Sequence, residues 1–144
     1  MTKSKGFTII ELIVVIAIIA VLASIVLVNV TAYINKGKDA AISGNLASMM
    51  TNAAQIVDST GSMATVCSNV TNAAALAAAD SAYDGNATAT QVTDCNVNGT
   101  NDAWAACGQL KVSDSYFCVD STGTKKSVAT RATCVTAWAA TVCP

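Results

Sequence analysis

Few residues of this sequence have types and spacing suited to chemistry, and most of them are cysteines and acids. The 144-residue chain has six cysteines, nine acidic residues and no histidine. Without histidine the usual general base is missing, as are the Ser-His-Asp and Cys-His arrangements and most catalytic metal sites. The chain also has no Gly-rich phosphate loop and no pair of glutamates. We therefore predict no catalytic residues, no bound metal and no cofactor.

Glu11 is the acid whose position is most informative. It is the one glutamate in the chain, since the other eight acids are all Asp. It lies near the start of the run GFTIIELIVVIAIIAVLASIVLV, from Gly6 to Val28, which carries no other charge. A carboxylate in an apolar setting is costly unless it is paired. The sequence therefore predicts that Glu11 acquires a partner.

The apolar run is long enough to cross a membrane. As a helix, residues 7–30 would extend about 36 Å, compared with about 30 Å for a bilayer core. Lys3 and Lys5 precede the run and would hold the N-terminus in the cytoplasm. A cleavable secretory signal with a site near residues 20–24 (AVLAS) is the competing interpretation. The apolar run continues past that site, which favours a membrane helix.

The helical pattern continues beyond the apolar run. Apolar residues recur there at steps of four and three, which places them on one helical face: they are Ile42, Leu46, Met49, Ala53 and Ile56. Gly61 follows at a position suited to ending a helix. We predict one helix, apolar all round over residues 7–30 and amphipathic over residues 31–60.

Residues 61–144 are expected to form a globular head with an antiparallel sheet, which makes the fold class α+β. Asn72 is expected to cap a short helix over residues 73–80. Turn residues divide the rest of the head into short segments. The expected turns are Asp84-Gly85, Asn98-Gly99, residues 113–114 and residues 120–123, and the expected strands cover residues 104–112, 115–119 and 127–135. Trp104 and Trp138 are expected to pack in the core.

All six cysteines lie in this predicted head, and the long helix contains none. Their long spacings and the absence of histidine disfavour a zinc site. An even number of cysteines instead indicates disulfides in an oxidising compartment, with free buried thiols as the alternative. The predicted pairs are Cys107–Cys118, across the first hairpin, Cys134–Cys143, closing a C-terminal loop, and Cys67–Cys95.

The charge pattern gives no sign of a nucleic-acid site. The net charge is −1, and loss of Lys3 and Lys5 would leave six basic against nine acidic residues, or −3. No basic patch of the kind that binds nucleic acid is visible. Two further possibilities stay open, glycosylation at an Asn-x-Thr sequence and calcium binding by turn aspartates, although we expect those aspartates to be solvated. The residues concerned are Asn29, Asn69, Asn86 and Asn98 for the first and Asp94, Asp114 and Asp120 for the second.

The opening residues resemble a type IV prepilin. The matching pattern is Lys5 and Gly6, then the segment Phe7-Thr8-Ile9-Ile10-Glu11-Leu12, then a run of Ile, Val, Ala and Leu. In that family a membrane aspartic peptidase cuts after the glycine, and the new N-terminal residue is methylated. The resemblance implies a leader over residues 1–6, cleavage between Gly6 and Phe7, and N-methylation of Phe7. It also implies an ion pair between the Phe7 amine and Glu11 of a neighbouring subunit.

This resemblance implies a structural subunit, a pilin that polymerises from the inner membrane into a type IV pilus filament. The implied partners are further copies of the chain in a helical filament, a prepilin peptidase and methyltransferase, and an assembly platform with its ATPase. The precursor would be a single-pass inner-membrane protein, and the assembled filament would be extracellular. A minor pilin or a type II secretion pseudopilin is the first alternative, and a membrane-anchored extracellular binding module is the second.

The sequence departs from the family pattern in two ways. Many pilins carry a proline in the apolar helix, whereas the one proline here is Pro144. We therefore expect an unbroken helix. The family's C-terminal pair of cysteines is replaced by six cysteines, so the surface function of the head does not carry over from the family.

Overall fold

A computed structural model describes residues 6–86, 93–130 and 142–143 of this chain. The chain divides into two compact units, Met1–Ile34 and Asn35–Pro144. The elements in chain order are α1 (Ile9–Thr60), α2 (Val70–Asp84), β1 (Thr93–Val97), β2 (Trp104–Gln109), β3 (Tyr116–Asp120) and β4 (Lys125–Val128). A long N-terminal helix and a small antiparallel sheet confirm the predicted α+β class.

The first unit contains the apolar half of α1. The large apolar side chains described between Phe7 and Ile34 are between 44% and 79% exposed, so none of them packs in a core. The predicted unbroken helix is confirmed, although it begins at Ile9 rather than Phe7. By its length and composition alone, this helix could cross a membrane.

The second unit is built on the amphipathic half of α1. The five apolar residues predicted to share one face are all buried: Ile42, Leu46, Met49, Ala53 and Ile56. They form one cluster with Trp104 and Val119 from the sheet. The helix ends where predicted, because Gly61 adopts a φ of 71° and its N–H donates to the Val57 carbonyl over 2.7 Å.

Helix α2 is longer than predicted because a different asparagine caps it. The Asn69 side chain accepts the Thr71 N–H at 3.0 Å, and the helix runs from Val70 to Asp84. Asn72, the predicted cap, is fully buried within the first turn instead, and its side-chain amide donates to the Val66 carbonyl. Gly85 follows the helix with a φ of 87°, which confirms the predicted turn there.

The sheet has four strands in the order β1-β2-β3-β4, and every neighbouring pair is antiparallel. The predicted hairpin of β2 and β3 is confirmed, whereas β1 was missed within a stretch predicted as turns. Strand β4 covers Lys125–Val128, not residues 127–135, of which 131–135 lie outside the described residues.

The two faces of the sheet have different roles. Side chains alternate along a strand, so Trp104 and Ala106 face the α1 cluster while Cys107 faces away. On the second face, five buried residues form a separate cluster that we call the cystine face: Cys107, Tyr116, Cys118, Val128 and Cys143. The head therefore places its aliphatic core and these cysteines on opposite sides of one sheet.

Gly108 lets the sheet approach α1 closely. A Cβ atom at this position would lie 3.1 Å from Leu46 Cδ1 and 3.2 Å from Ile42 Cγ2. These distances are too short for comfortable packing, so a larger residue would push the sheet and the helix apart.

Candidate functional site

The N-terminal site predicted from the sequence is organised by Thr8 and Glu11. The Thr8 N–H donates to Glu11 Oε2 over 2.9 Å, and the Thr8 hydroxyl donates to the same oxygen over 2.8 Å. The Glu11 N–H donates back to Thr8 Oγ1 over 3.3 Å. This reciprocal pattern is a capping box, which satisfies N–H groups that have no partner within the helix.

The capping box explains why the helix begins at Ile9. Thr8 is the capping residue, so Gly6 and Phe7 precede the helix and are exposed, Phe7 by 76%. Glu11 was predicted from the sequence as a site residue, whereas the capping role of Thr8 was missed. The spacing Thr-x-x-Glu ahead of an apolar run is the pattern that could have found it.

Glu11 keeps bonding capacity in this arrangement. Both hydrogen bonds that it accepts from described residues end on Oε2. A carboxylate has acceptor sites on both oxygens and can take a further charged donor. The apolar side chains on either side, Ile10 and Leu12, are 70% and 56% exposed. The site is therefore an open carboxylate on an unpacked apolar helix.

The five cysteines that the structure describes are oxidised, but two of the three predicted pairs are wrong. The Cys67–Cys95 disulfide is confirmed. Cys118 pairs with Cys143, which contradicts both the Cys107–Cys118 and the Cys134–Cys143 predictions. Cys107 is also disulfide-bonded, and Cys134 lies outside the described residues.

The predicted Cys107–Cys118 disulfide is wrong because of the distance between opposed side chains in a strand pair. The predicted register is correct, since Cys107 and Cys118 are directly opposite in β2 and β3. Opposed side chains stand side by side with Cβ atoms about 4.5–5.5 Å apart, whereas a disulfide needs about 3.8 Å. Cys143 instead reaches Cys118 from the segment over the cystine face, with a Cα–Cα distance of 5.9 Å.

Asp120 is a buried acid of the head, contrary to the expectation of a solvated turn carboxylate. It is 1% exposed at the end of β3. Its Oδ1 accepts the Thr122 N–H at 2.8 Å, the Thr122 hydroxyl at 2.6 Å and the Thr124 N–H at 3.1 Å. Its Oδ2 accepts the Cys143 N–H at 2.7 Å. Burial alone would raise the pKa of Asp120, but these hydrogen bonds together hold that pKa below its ordinary value.

Two other aspartates of the head also bind backbone N–H groups of distant segments. Asp39 on α1 accepts the N–H groups of Lys111 and Val112 in the turn after β2. Asp80 on α2 accepts the N–H of Thr93 at the start of β1, at 2.9 Å. These bonds connect helices to the sheet, and they indicate structural roles.

The described residues contain no cluster of three or more acidic or cysteine side chains that could hold a metal ion. Asp114 is exposed and accepts the Gln109 side-chain amide at 2.6 Å. Asp94 lies on β1, not in a turn. This geometry gives the calcium alternative no support.

Comparison with known proteins bears on the N-terminal segment. Residues 1–27 match the family model described as the prokaryotic N-terminal methylation motif. No curated protein and no solved structure matches the chain. The motif is that of the class III signal peptide of type IV pilins, and it includes Gly6, Phe7 and Glu11. It supports a pilin-like or pseudopilin precursor, fits a membrane-anchored protein, and points to a structural subunit rather than an enzyme.

Proposed function

We propose that this protein is a pilin, a structural subunit that polymerises from the inner membrane into an extracellular type IV pilus filament after its leader is removed. The observation that carries the proposal is the methylation motif at residues 1–27, placed at the head of an exposed apolar helix. The motif accounts for processing, and the exposed helix accounts for assembly.

In this proposal a prepilin peptidase cleaves between Gly6 and Phe7, and a methyltransferase modifies the new amine of Phe7. Both residues precede the helix and are exposed, which suits entry into an enzyme. Hydrolysis of this peptide bond leaves a carboxylate on the released Gly6 and a positively charged ammonium group on Phe7, at the edge of the membrane. That positive charge lies at a helix N-terminus, whose dipole favours negative neighbours and therefore favours pairing with a carboxylate.

Glu11 supplies that carboxylate from a neighbouring subunit. In the single chain the capping box keeps Glu11 satisfied through Oε2. The other oxygen is available to the Phe7 ammonium of the adjacent copy. A charge-assisted bond in an apolar setting is stronger than one in water, so subunits without a mature N-terminus would assemble poorly.

The ion pair matters because apolar surface alone gives little direction to assembly. A helix such as residues 9–34 gains little by leaving lipid for a bundle, since lipid tails are equally apolar. Helix packing and the pairing of Glu11 must then set the register between neighbouring subunits of the filament. An assembly platform and its ATPase would supply the work of extraction from the membrane, and the disulfide-braced heads would form the filament surface.

A minor pilin or a type II secretion pseudopilin is the second candidate, because the same motif supports both. Abundance separates these from a major pilin, which should dominate sheared surface filaments. The membrane-anchored binding module differs in requiring no assembly at all. It predicts that the chain stays in the membrane fraction and that Glu11 has no effect on ligand capture.

Mass spectrometry of sheared surface material tests the proposal. The expected chain starts at methylated Phe7, and its cysteines are all oxidised. A chain that retains Met1, or one that begins after Ala23, would contradict cleavage at Gly6. A correctly processed chain found in the membrane and missing from the sheared fraction would favour the binding module.

A further inference from the structure

We propose that Asp120 selects the disulfide partner of Cys118, by holding Cys143 over the cystine face before the bond forms. Two cysteines compete for Cys118: Cys107, directly opposite it in the sheet, and Cys143, from near the end of the chain. The register places Cys107 opposite Cys118, but opposed strand positions suit a disulfide poorly, and Cys107 is bonded to a different cysteine. A contact in the folded head is still needed to bring Cys143 to Cys118.

Cys118 and Asp120 lie two residues apart on β3, and both contact Cys143. Alternate side chains of a strand point to the same face, so residues 118 and 120 project together over the cystine face. Cys118 binds the Cys143 sulfur, and Asp120 Oδ2 accepts the Cys143 N–H at 2.7 Å. The bond to the carboxylate fixes the backbone from which the Cys143 thiol projects.

The carboxylate is also held by contacts that do not involve Cys143. Three donors from the turn between β3 and β4 hold Oδ1, and all of them come from Thr122 and Thr124. This leaves Oδ2 pointing to the position of the Cys143 N–H. A pre-oriented buried acceptor loses little freedom when its donor binds, so the contact raises the effective concentration of Cys143 beside Cys118.

The chemistry needs only a disulfide oxidant. The Cys118 thiolate attacks an oxidant such as glutathione disulfide and releases one glutathione as a mixed disulfide forms. The Cys143 thiolate then attacks the Cys118 sulfur and releases the second glutathione. The two cysteine thiols give up two protons and two electrons, and the oxidant's disulfide is reduced to two thiols. Asp120 takes no part in the transfer and acts as a positioning residue.

The proposal is tested by oxidation of the full chain in detergent. Reduced protein is equilibrated in glutathione redox buffer, quenched by alkylation and digested, and three bonds are quantified by mass spectrometry: Cys118–Cys143, Cys107–Cys118 and Cys67–Cys95. In Asp120→Asn we expect the ratio of Cys118–Cys143 to Cys107–Cys118 to fall about tenfold, as for loss of one hydrogen bond to a charged group. Cys67–Cys95 should form to the wild-type extent.

Thr122→Val is the matched control, because it removes one turn bond to Oδ1 and leaves the Cys143 contact in place. We expect this variant to keep nearly the wild-type ratio. The proposal is overturned if Asp120→Asn leaves the ratio unchanged, if Cys67–Cys95 falls in parallel, or if Thr122→Val has an equal effect. Should Asp120→Asn fail to fold, Asp120→Glu moves the carboxylate and keeps its charge, and an unaltered ratio there would also overturn the proposal.

Discussion

Two carboxylates, Glu11 in the first unit and Asp120 in the second, show how differently the two parts of this chain are completed. Glu11 is exposed, and the hydrogen bonds described for it come from Thr8, three residues away. Asp120 is buried, and its bonds extend to Cys143, 23 residues along the chain. The head satisfies this buried acid internally, whereas the N-terminal unit keeps an acid with capacity for an external partner.

The exposure of apolar side chains differs between the two units in the same way. In the first unit Leu22 is 57% exposed, while in the second Leu46 is fully buried, although both belong to helix α1. The second unit packs its apolar side chains within the chain, whereas the described apolar side chains of the first unit stay exposed. The following predictions test that distinction, beginning with the largest expected effect.

Replacing the N-terminal carboxylate should abolish assembly without affecting the head. In Glu11→Gln the side chain keeps its shape and can still accept from Thr8, but it cannot pair with an ammonium. We expect at least about a tenfold loss of sheared filaments, the equivalent of one charged hydrogen bond. Quantitative immunoblotting measures the filaments, and circular dichroism confirms the head. Filaments of normal length and amount in this variant would contradict the role of Glu11.

Truncating a leucine should matter in one half of α1 and not in the other. Leu46→Ala removes a fully buried side chain that packs over Gly108, and we expect a loss of about 3 kcal/mol in the free energy of unfolding of the head. Leu22→Ala is the matched control, and it should leave that free energy unchanged. Denaturant unfolding of the full chain in detergent, followed by tryptophan fluorescence, measures both. Equal losses of unfolding free energy in the two variants would contradict the proposed difference in packing between the two units.

Removing the buried carboxylate should destabilise the head in a pH-dependent way. Asp120→Asn should cost about 2 kcal/mol at neutral pH, because buried N–H groups lose a charged acceptor. The lowered pKa means that the ionised group stabilises the fold fully above its ordinary pKa of 3.8 and loses this effect as pH falls through its folded value. The difference between wild type and variant should therefore shrink below about pH 4. Thermal unfolding across pH measures it, and a constant difference would contradict the assignment.

Removal of a helix cap should have the smallest effect on stability. Only the cap in the second unit should affect the stability of the head. Asn69→Ala removes the cap of α2, and we expect a loss of about 1 kcal/mol in the stability of the head. Thr8→Val removes the hydroxyl of the N-terminal capping box and should leave head stability unaltered. Chemical unfolding compares them. A head destabilised by Thr8→Val would mean that the two units are coupled energetically.

Elements with a strong local pattern could be predicted from the sequence. The spacing of Ile42 through Ile56 on one helical face identified the core side of α1, and Gly61 identified its end. Strand β1 could not be predicted, because Asp94 and Asn96 disfavour strands and the segment acquires its conformation by pairing with β2. The cap of α2 was misplaced because Asn69 and Asn72 are chemically identical, and burial alone distinguishes them.

The candidate sites divide in the same way. The N-terminal motif is contiguous, so Gly6, Phe7 and Glu11 could be proposed as site residues from the sequence, and the capping role of Thr8 could have been predicted. The partner of Cys118 is Cys143, which the tertiary fold brings to the sheet. No local sequence spacing predicts this pairing. Asp120 resembled a solvated turn residue for the same reason.

The capping box also defines a stretch of chain that the helix does not include. Because hydrogen bonding begins at Thr8, the peptide bond between Gly6 and Phe7 belongs to no helical turn. An endopeptidase acting there would bind a non-helical substrate and need not unwind a helix first. The two side chains that cap the helix would thus keep the proposed cleavage site outside it.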